Sequence, residues 1–341
     1  MLELDKSKVN FLVTENMVGE TKHILNDLTK EMDILLKIIN DRKIENVFFV
    51  ACGSPLCACQ TSQMLFEKYS NIFCKAYSGM DFLSHSPFIL NKRSLVIGIS
   101  DSGTTQEVYE SIELAREKNA MTIGITKNKK GNPLAEKSEF VIGYEADCIW
   151  EVHLLITYYL SLMLIKTKAH KEEVEKILED MKKIPAILER LLSEVEEDSK
   201  KRGEIAAKYN MIYTVAAGPL LPLAYKEGII TMLEFTWTHG SCINASEFRH
   251  GPLEVVENGV PYVFFLGNDD SRKITQRTID FVKKLNKDYM VFDINDYEKN
   301  LHPMLTPMIL FVPLEFFYYY LSIYKNHNPD DRRYYGGLVK Y

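Results

Sequence analysis

Two clusters of side chains carry the chemistry this sequence can offer. The first is Glu234 with His250, the latter inside Glu247-Phe-Arg-His-Gly-Pro252. Glu234 stands in the apolar run Ile229-Ile-Thr-Met-Leu-Glu-Phe-Thr-Trp237, where a carboxylate costs free energy unless it has partners or a task. Partial burial would raise its pKa, which suits a carboxyl that must both take and return a proton. His250, just before Gly-Pro, belongs at a loop or helix end and titrates near neutrality by default. Spacing alone is closer to a structural pair, with the carboxyl capping a loop and the imidazole satisfied by backbone, than to an active site.

The second cluster is Ile99-Ser-Asp-Ser-Gly-Thr-Thr105. Ser100, Asp101, Ser102, Gly103, Thr104 and Thr105 fall between an apolar run and a helical pattern. A helix start offers unpaired N–H groups and a partial positive charge. The hydroxyls add donors, and Gly103 lets the backbone approach an anion closely. Such a turn can cradle phosphate without lysine or arginine, although Ser and Thr are also ordinary helix caps. Gly53-Ser54 ends a neighbouring apolar run, and ligands of open α/β sheets bind beyond the carboxyl ends of the strands.

The elements that must position these groups follow from periodicity. Helical spacing covers 15–40. Strands are expected over 46–52, 94–100, 121–126 and 140–143, with helices over 56–69 and 104–118 between them. Continuous apolar strands indicate a parallel sheet covered on both faces. A charged helical stretch over 170–207 follows. The pattern then restarts with strands over 211–217, 261–266 and 290–292 and helices over 219–234, 273–285 and 307–324. Strand–glycine–helix thus occurs twice, after Cys52 and after Ala217, a duplicated α/β arrangement.

Bulk properties bound the partners. The chain has 341 residues, 46% of them hydrophobic and 26% charged, with a net charge of −6. This is enough for two cores, and the acidic balance argues against nucleic acid as a partner. An anionic substrate therefore needs a local site. Six cysteines lie mostly in or beside apolar runs without zinc spacing, so reduced thiols in the cytoplasm are expected. No secretory leader pattern opens the chain. The apolar runs 154–165 and 304–324 are expected to be buried helices and not membrane spans: the first is short and the second contains Pro307, Pro313 and Glu315.

Phe49-Val-Ala-Cys-Gly-Ser54, Ile99-Ser-Asp-Ser-Gly-Thr-Thr105 and Glu247-Phe-Arg-His-Gly-Pro-Leu-Glu254, in this order, resemble the double-SIS (sugar isomerase) proteins. These include the isomerase half of glucosamine-6-phosphate synthase and the deglycases of phosphorylated Amadori compounds. The resemblance covers about residues 20–341. It implies an α/β fold of two SIS domains, each a parallel five-stranded sheet flanked by helices in a three-layer αβα sandwich. The expected organisation is a helical segment over 1–28, a first domain over 29–170, linking helices over 171–205, a second domain over 206–325 and a tail over 326–341 near the active site. It further implies that Gly53, Ser54, Ser100, Asp101, Ser102, Gly103, Thr104 and Thr105 hold phosphate and sugar. Glu234 becomes the acid/base that moves a proton between C1 and C2, and His250 assists ring opening, reaching the site from a neighbouring subunit. A homodimer or higher homo-oligomer with its site at the subunit interface follows.

Departures from the synthase pattern narrow the activity. The chain starts Met1-Leu-Glu, without the synthase's glutaminase domain. The synthase's tail lysine falls at Gly337, and the lysine three residues before the catalytic carboxyl is Thr231. The ending Asn328-Pro-Asp-Asp-Arg-Arg-Tyr-Tyr-Gly336 is similar to deglycases acting on fructosamine 6-phosphates. The expectation is a deglycase needing no metal or other cofactor, because the substrate's own carbonyl and nitrogen serve as electron sink. Glu151, Arg332 and Arg333, with Trp150, Asp147 and Asp330, are candidates for the amine end. An aldose–ketose or synthase-like isomerase would keep the same Glu234 and His250. A sugar-phosphate sensor would not need that pair, and no helix-turn-helix segment precedes the first domain.

Overall fold

The computed structural model describes residues 2–9, 13–166, 171–334 and 338–340. Gly337, the position of the synthase lysine, lies outside them, as do Tyr335 and Gly336 of the tail motif. The chain folds as two units, Asn16–Pro185 and the combination of Met1–Glu15 with Ala186–Tyr341.

In the first unit, α1 (Met17–His23), a π-helical turn and α2 (Thr29–Asp41) precede an alternating series. The series runs β1 (Asn46–Ala51), α3 (Ser54–Tyr69), β2 (Phe73–Ser78), α4 (Gly79–His85), β3 (Ser94–Ile99), α5 (Gln106–Glu117), β4 (Met121–Thr126), α6 (Pro133–Lys137) and β5 (Phe140–Gly143). Helices α7 (Ile149–Lys166) and α8 (Lys171–Met181) complete it. The five strands are parallel in the order β2-β1-β3-β4-β5. β3 and β4 are buried at every position, as continuous apolar runs require when helices cover both faces. Gly98 pairs with Gly124 across these strands. A Cβ on Gly98 would lie 3.0 Å from Ile112 Cγ1, so the glycine lets α5 press onto the sheet.

The second unit contains α9 (Ile184–Glu194), α10 (Glu196–Ala206), β6 (Met211–Ala216), α11 (Leu221–Tyr225), α12 (Met232–Thr236), β7 (His239–Asn244), β8 (Tyr262–Leu266), α13 (Arg272–Leu285), β9 (Tyr289–Asp293) and α14 (Thr306–Tyr324). Its parallel sheet runs β7-β6-β8-β9. This corrects the expectation of five strands in each sheet: among the described residues the second sheet has four. The segment after β9, Ile294-Asn-Asp-Tyr-Glu-Lys-Asn-Leu-His302, provides no continuous apolar run and forms a short 3-10 turn and bends instead. The helix expected over 219–234 is also broken, into a 3-10 turn, α11, a π-helical stretch Lys226–Thr231 and α12.

Two helices, Ile149–Lys166 and Pro303–Tyr324 with its leading 3-10 turn, are long and apolar enough to cross a membrane, but 78% and 94% of them are buried inside the protein. They are core helices. α14 lies close on α10, where a Cβ at Gly203 would come within 2.8 Å of Tyr320 Cβ.

Candidate active site

In the first unit, Ala51 and Ile99 are register partners at the carboxyl ends of β1 and β3, so the two loops that follow leave the sheet side by side. β2 follows on one side of β1 and β3 on the other, so the strand order switches here, as at the ligand-binding crevice of open α/β sheets. Gly53 starts α3 from φ +65°, a left-handed backbone that favours glycine. In the second loop the hydroxyls bond one another. Ser100 Oγ lies 2.8 Å from Thr105 Oγ1, and Ser102 Oγ lies 2.8 Å from Thr104 Oγ1. Thr105 is the N-cap of α5, yet its side chain makes no cap hydrogen bond. The hydroxyl is engaged with Ser100, which leaves the helix-start N–H groups without that partner. Gly103, at φ +67°, packs on Asn132, whose Oδ1 would lie 2.0 Å from an added Cβ. Asn132 is held in turn by accepting from Ala135 N at 2.9 Å. The structure therefore brings Gly53, Ser54 and the 100–105 turn to one end of one sheet.

Asp101 does not stand free in this turn. Tyr144 Oη donates to Asp101 Oδ1 at 2.8 Å and lies 2.5 Å from His153 Nε2. Burial alone depresses the His153 imidazole to about 3, so it is neutral, and burial pushes the Tyr144 hydroxyl far up. Two residues earlier on α7, Glu151 is fully buried, and neither of its carboxyl oxygens has a hydrogen-bond partner. Burial raises its pKa well above 4.5, which keeps it protonated. Trp150 is likewise buried, and Asp147 Oδ1 accepts from Lys127 Nζ at 2.7 Å.

Glu151 and His153 have opposing pH dependences. Glu151's pKa is raised in the folded state, so its contribution falls as pH rises above 4.5. His153's is depressed, so its contribution falls as pH drops below 6.5 toward about 3. Between 4.5 and 6.5 the folded protein favours the proton on Glu151 and the unfolded chain favours one on His153, so the two slopes oppose each other. Glu151→Gln removes one side of this balance. Relative to the unsubstituted protein, its unfolding free energy should fall by about 1.4 kcal/mol per pH unit on acidification through that window. Urea titrations at several pH values measure this, and parallel curves for the two proteins would contradict it.

In the second unit, Glu234 lies on α12, its side chain 38% exposed, more open than its apolar neighbours suggested. The helix ends at Trp237, a non-glycine residue at φ +50°, a conformation that costs roughly 1–2 kcal/mol. His327 from the tail packs on Trp237 at a tilt of 58° with ring centroids 4.1 Å apart, and its Nδ1 lies 2.6 Å from the Phe235 carbonyl oxygen. Arg332 Nη2 approaches Glu234 Oε2 to 3.8 Å. The Arg333 guanidinium lies 4.0 Å from the Trp237 ring centroid. The tail residues His327, Arg332 and Arg333 thus lie against the end of α12 that carries Glu234. His250 occupies an exposed turn between two 3-10 segments, its N–H donating to the Glu247 carbonyl at 2.9 Å. Among the described residues no hydrogen bond joins His250 to Glu234.

Behind this helix is a buried charge cluster. Lys226 Nζ donates to Glu227 Oε1 at 2.9 Å, to Thr231 Oγ1 at 2.9 Å and to Glu315 Oε2 at 3.4 Å, with the Phe311 ring centroid 4.9 Å away. Lys226, Glu227 and Glu315 side chains have no exposure. Burial works against the ammonium, yet Glu227 and Glu315 hold its pKa above 10.5. Burial lifts Glu227 to about 7 against the pull of Lys226. The ammonium reaches Thr231, three residues before Glu234.

These features coincide with what the chain is similar to. Residues 39–171 match the SIS domain. The fructoselysine 6-phosphate deglycase of Escherichia coli is 49% identical over 341 residues, all of both chains. The chain belongs to the SIS family. A fructosamine deglycase of Bacillus subtilis is 29% identical over 320 residues, covering 90% of this chain and 96% of that one. The C-terminal domain of glucosamine-fructose-6-phosphate aminotransferase from Francisella tularensis superposes with a TM-score of 0.81 at 18% identity, over 95% of this chain and 98% of that one; this last likeness concerns the fold. Within the SIS family, full-length identity sets the chain with the deglycases, enzymes of the fructosamine-6-phosphate type.

Several residues around this SIS framework do not announce themselves in the sequence: Tyr144, His153, Lys226, Trp237 and His327. A charged Lys226-Glu227 pair inside the run 220–233 was a visible signal for the buried cluster, since charges inside apolar helices need partners. For Trp237 and His327 there was none, because their contact joins positions far apart in the chain.

Proposed function

We propose that this protein converts a 6-phosphorylated Amadori compound, such as fructoselysine 6-phosphate, and water to glucose 6-phosphate and a free amino acid. The observation that carries this reading is the 49% identity to fructoselysine 6-phosphate deglycase over the whole of both chains. The 53–54 and 100–105 turns hold the phosphate through hydroxyls and helix-start N–H groups, and binding energy gained there orients the reacting carbons. His250 assists opening of the sugar ring. Glu234 removes a proton from C1 and returns one to C2, which converts the C2 carbonyl to a hydroxyl and the C1–N single bond to an imine. Water adds at C1, the C1–N bond breaks, and the amine leaves with a proton. Lys226 is not a Schiff-base candidate, because its ammonium is fully buried and engaged. Six free thiols support a cytosolic setting, and His250 on an exposed turn suits a site completed by a second copy of the chain.

The test is a product assay. Purified protein given fructoselysine 6-phosphate should release glucose 6-phosphate and lysine in equal amounts. Isomerised substrate with the amine still attached would favour the plain isomerase, and binding without turnover would favour a sensor.

A further inference from the structure

The tail places two guanidinium groups beside the acid/base carboxyl, although the proposed reaction at C1 and C2 calls for neither. Arg332 sits 3.8 Å from Glu234, close enough to attract it and too far for a hydrogen bond. Its side chain is only 19% exposed, and Nη1 donates to the Pro329 and Asp331 carbonyls, so the guanidinium is held near Glu234. Arg333 lies on the Trp237 ring, which is itself half-open at 39% exposure. His327 is 8% exposed, and its Nε2 has no hydrogen-bond partner. A planar cation beside Glu234 and a second cation on the neighbouring indole thus leave donor capacity unused at this end of the helix.

We infer that Arg332, supported by Arg333 and the Trp237–His327 pair, recognises a carboxylate on the amine half of the substrate, and that this carboxylate draws Arg332 away from Glu234. The inference rests on the deglycase reading. A guanidinium prefers a two-oxygen planar partner, and the loose contact with Glu234 does not satisfy that preference. A fructosyl amino acid brings such a partner with it. Binding then exchanges one carboxylate for another on Arg332 and frees Glu234 to take the C1 proton. An amine without a carboxylate leaves Glu234 paired, so the same contact that selects amino acid adducts withholds the base from other phosphosugars.

The experiment compares a 6-phosphorylated fructosyl amino acid with the same compound bearing a carboxamide in place of the α-carboxylate. The unsubstituted enzyme should prefer the carboxylate by about 10–100-fold in kcat/KM, part of it in kcat. Arg332→Ala should lower kcat/KM for the carboxylate compound by about the same factor, with no loss or a gain on the carboxamide because Glu234 is no longer paired, so that the preference collapses. Arg332→Lys, which keeps the charge and loses the fork, should restore part of the preference, and thermal melting of both variants checks their folding. Equal losses on both compounds, or no preference in the unsubstituted enzyme, would overturn the inference while leaving the deglycase reading intact. Turnover of neither compound by the unsubstituted enzyme would overturn both.

Discussion

Glu234→Gln should lower kcat for a fructosamine 6-phosphate by about 10²–10⁴-fold, the usual consequence of removing a general acid/base. The substitution is nearly isosteric and the side chain is 38% exposed, so α12 should form as before. Phosphate recognition is assigned to a different part of the sequence and should persist, which predicts a KM within a few-fold of the original. The loss then belongs to proton transfer between C1 and C2. Exchange of the C1 proton with deuterium from solvent gives an independent reading, and in Glu234→Gln it should slow in parallel with turnover. Near-normal kcat would remove Glu234 from the mechanism and leave the Arg332 contact as a surface ion pair, worth little.

The second large effect concerns folding. Lys226→Met leaves Glu227 and Glu315 buried without their cation. Removing one partner of a buried ion pair typically costs about 3–5 kcal/mol, because an uncompensated charge stays in low dielectric. A loss of that order in urea denaturation is expected. The control combines Lys226→Met with Glu227→Gln and Glu315→Gln, which removes the charge and keeps the volume. Recovery of most of the stability would assign the loss to charge. Failure to recover would assign it to the lysine's other contacts, among them the ammonium over the Phe311 ring. If Lys226→Met alone were neutral, the cluster would not be holding the π-helical turn.

How much was legible follows from what each segment had to satisfy. β1, β3 and β4 could be read because parallel strands covered on both faces are apolar throughout, and the edge strand β5 because its residues Phe140-Val-Ile-Gly143 are apolar all the same. β2 and β7 were not. They are edge strands, Phe-Cys-Lys-Ala-Tyr-Ser and His-Gly-Ser-Cys-Ile-Asn, only partly buried along their length, and their polar residues resemble loop. The break before α12 was also hidden, because a π-helical turn keeps the apolar content of an α-helix and changes only its winding. The hydroxyl-rich turn between β3 and α5 was readable as a turn, since its residues are local in sequence. The surroundings of Glu234 were not, because Arg332, His327 and Trp237 meet only after the tail folds back. Glu151 was a candidate for ligand contact; burial in α7 instead gives it a role in the proton balance of the first unit.

The first residues of the chain have a further consequence. Leu2 N donates to the Ile323 carbonyl and Tyr319 Oη to the Leu4 carbonyl, the latter bond spanning 315 positions. The segment ahead of α1 therefore belongs with α14, near the other end of the chain. On a ribosome, residues 16–185 emerge as one uninterrupted stretch and can close their own sheet early. The opening segment must wait unpaired until the last helix leaves the exit tunnel. Birth order thus separates the two units: the 100–105 turn can exist well before α12 acquires the tail that packs on it.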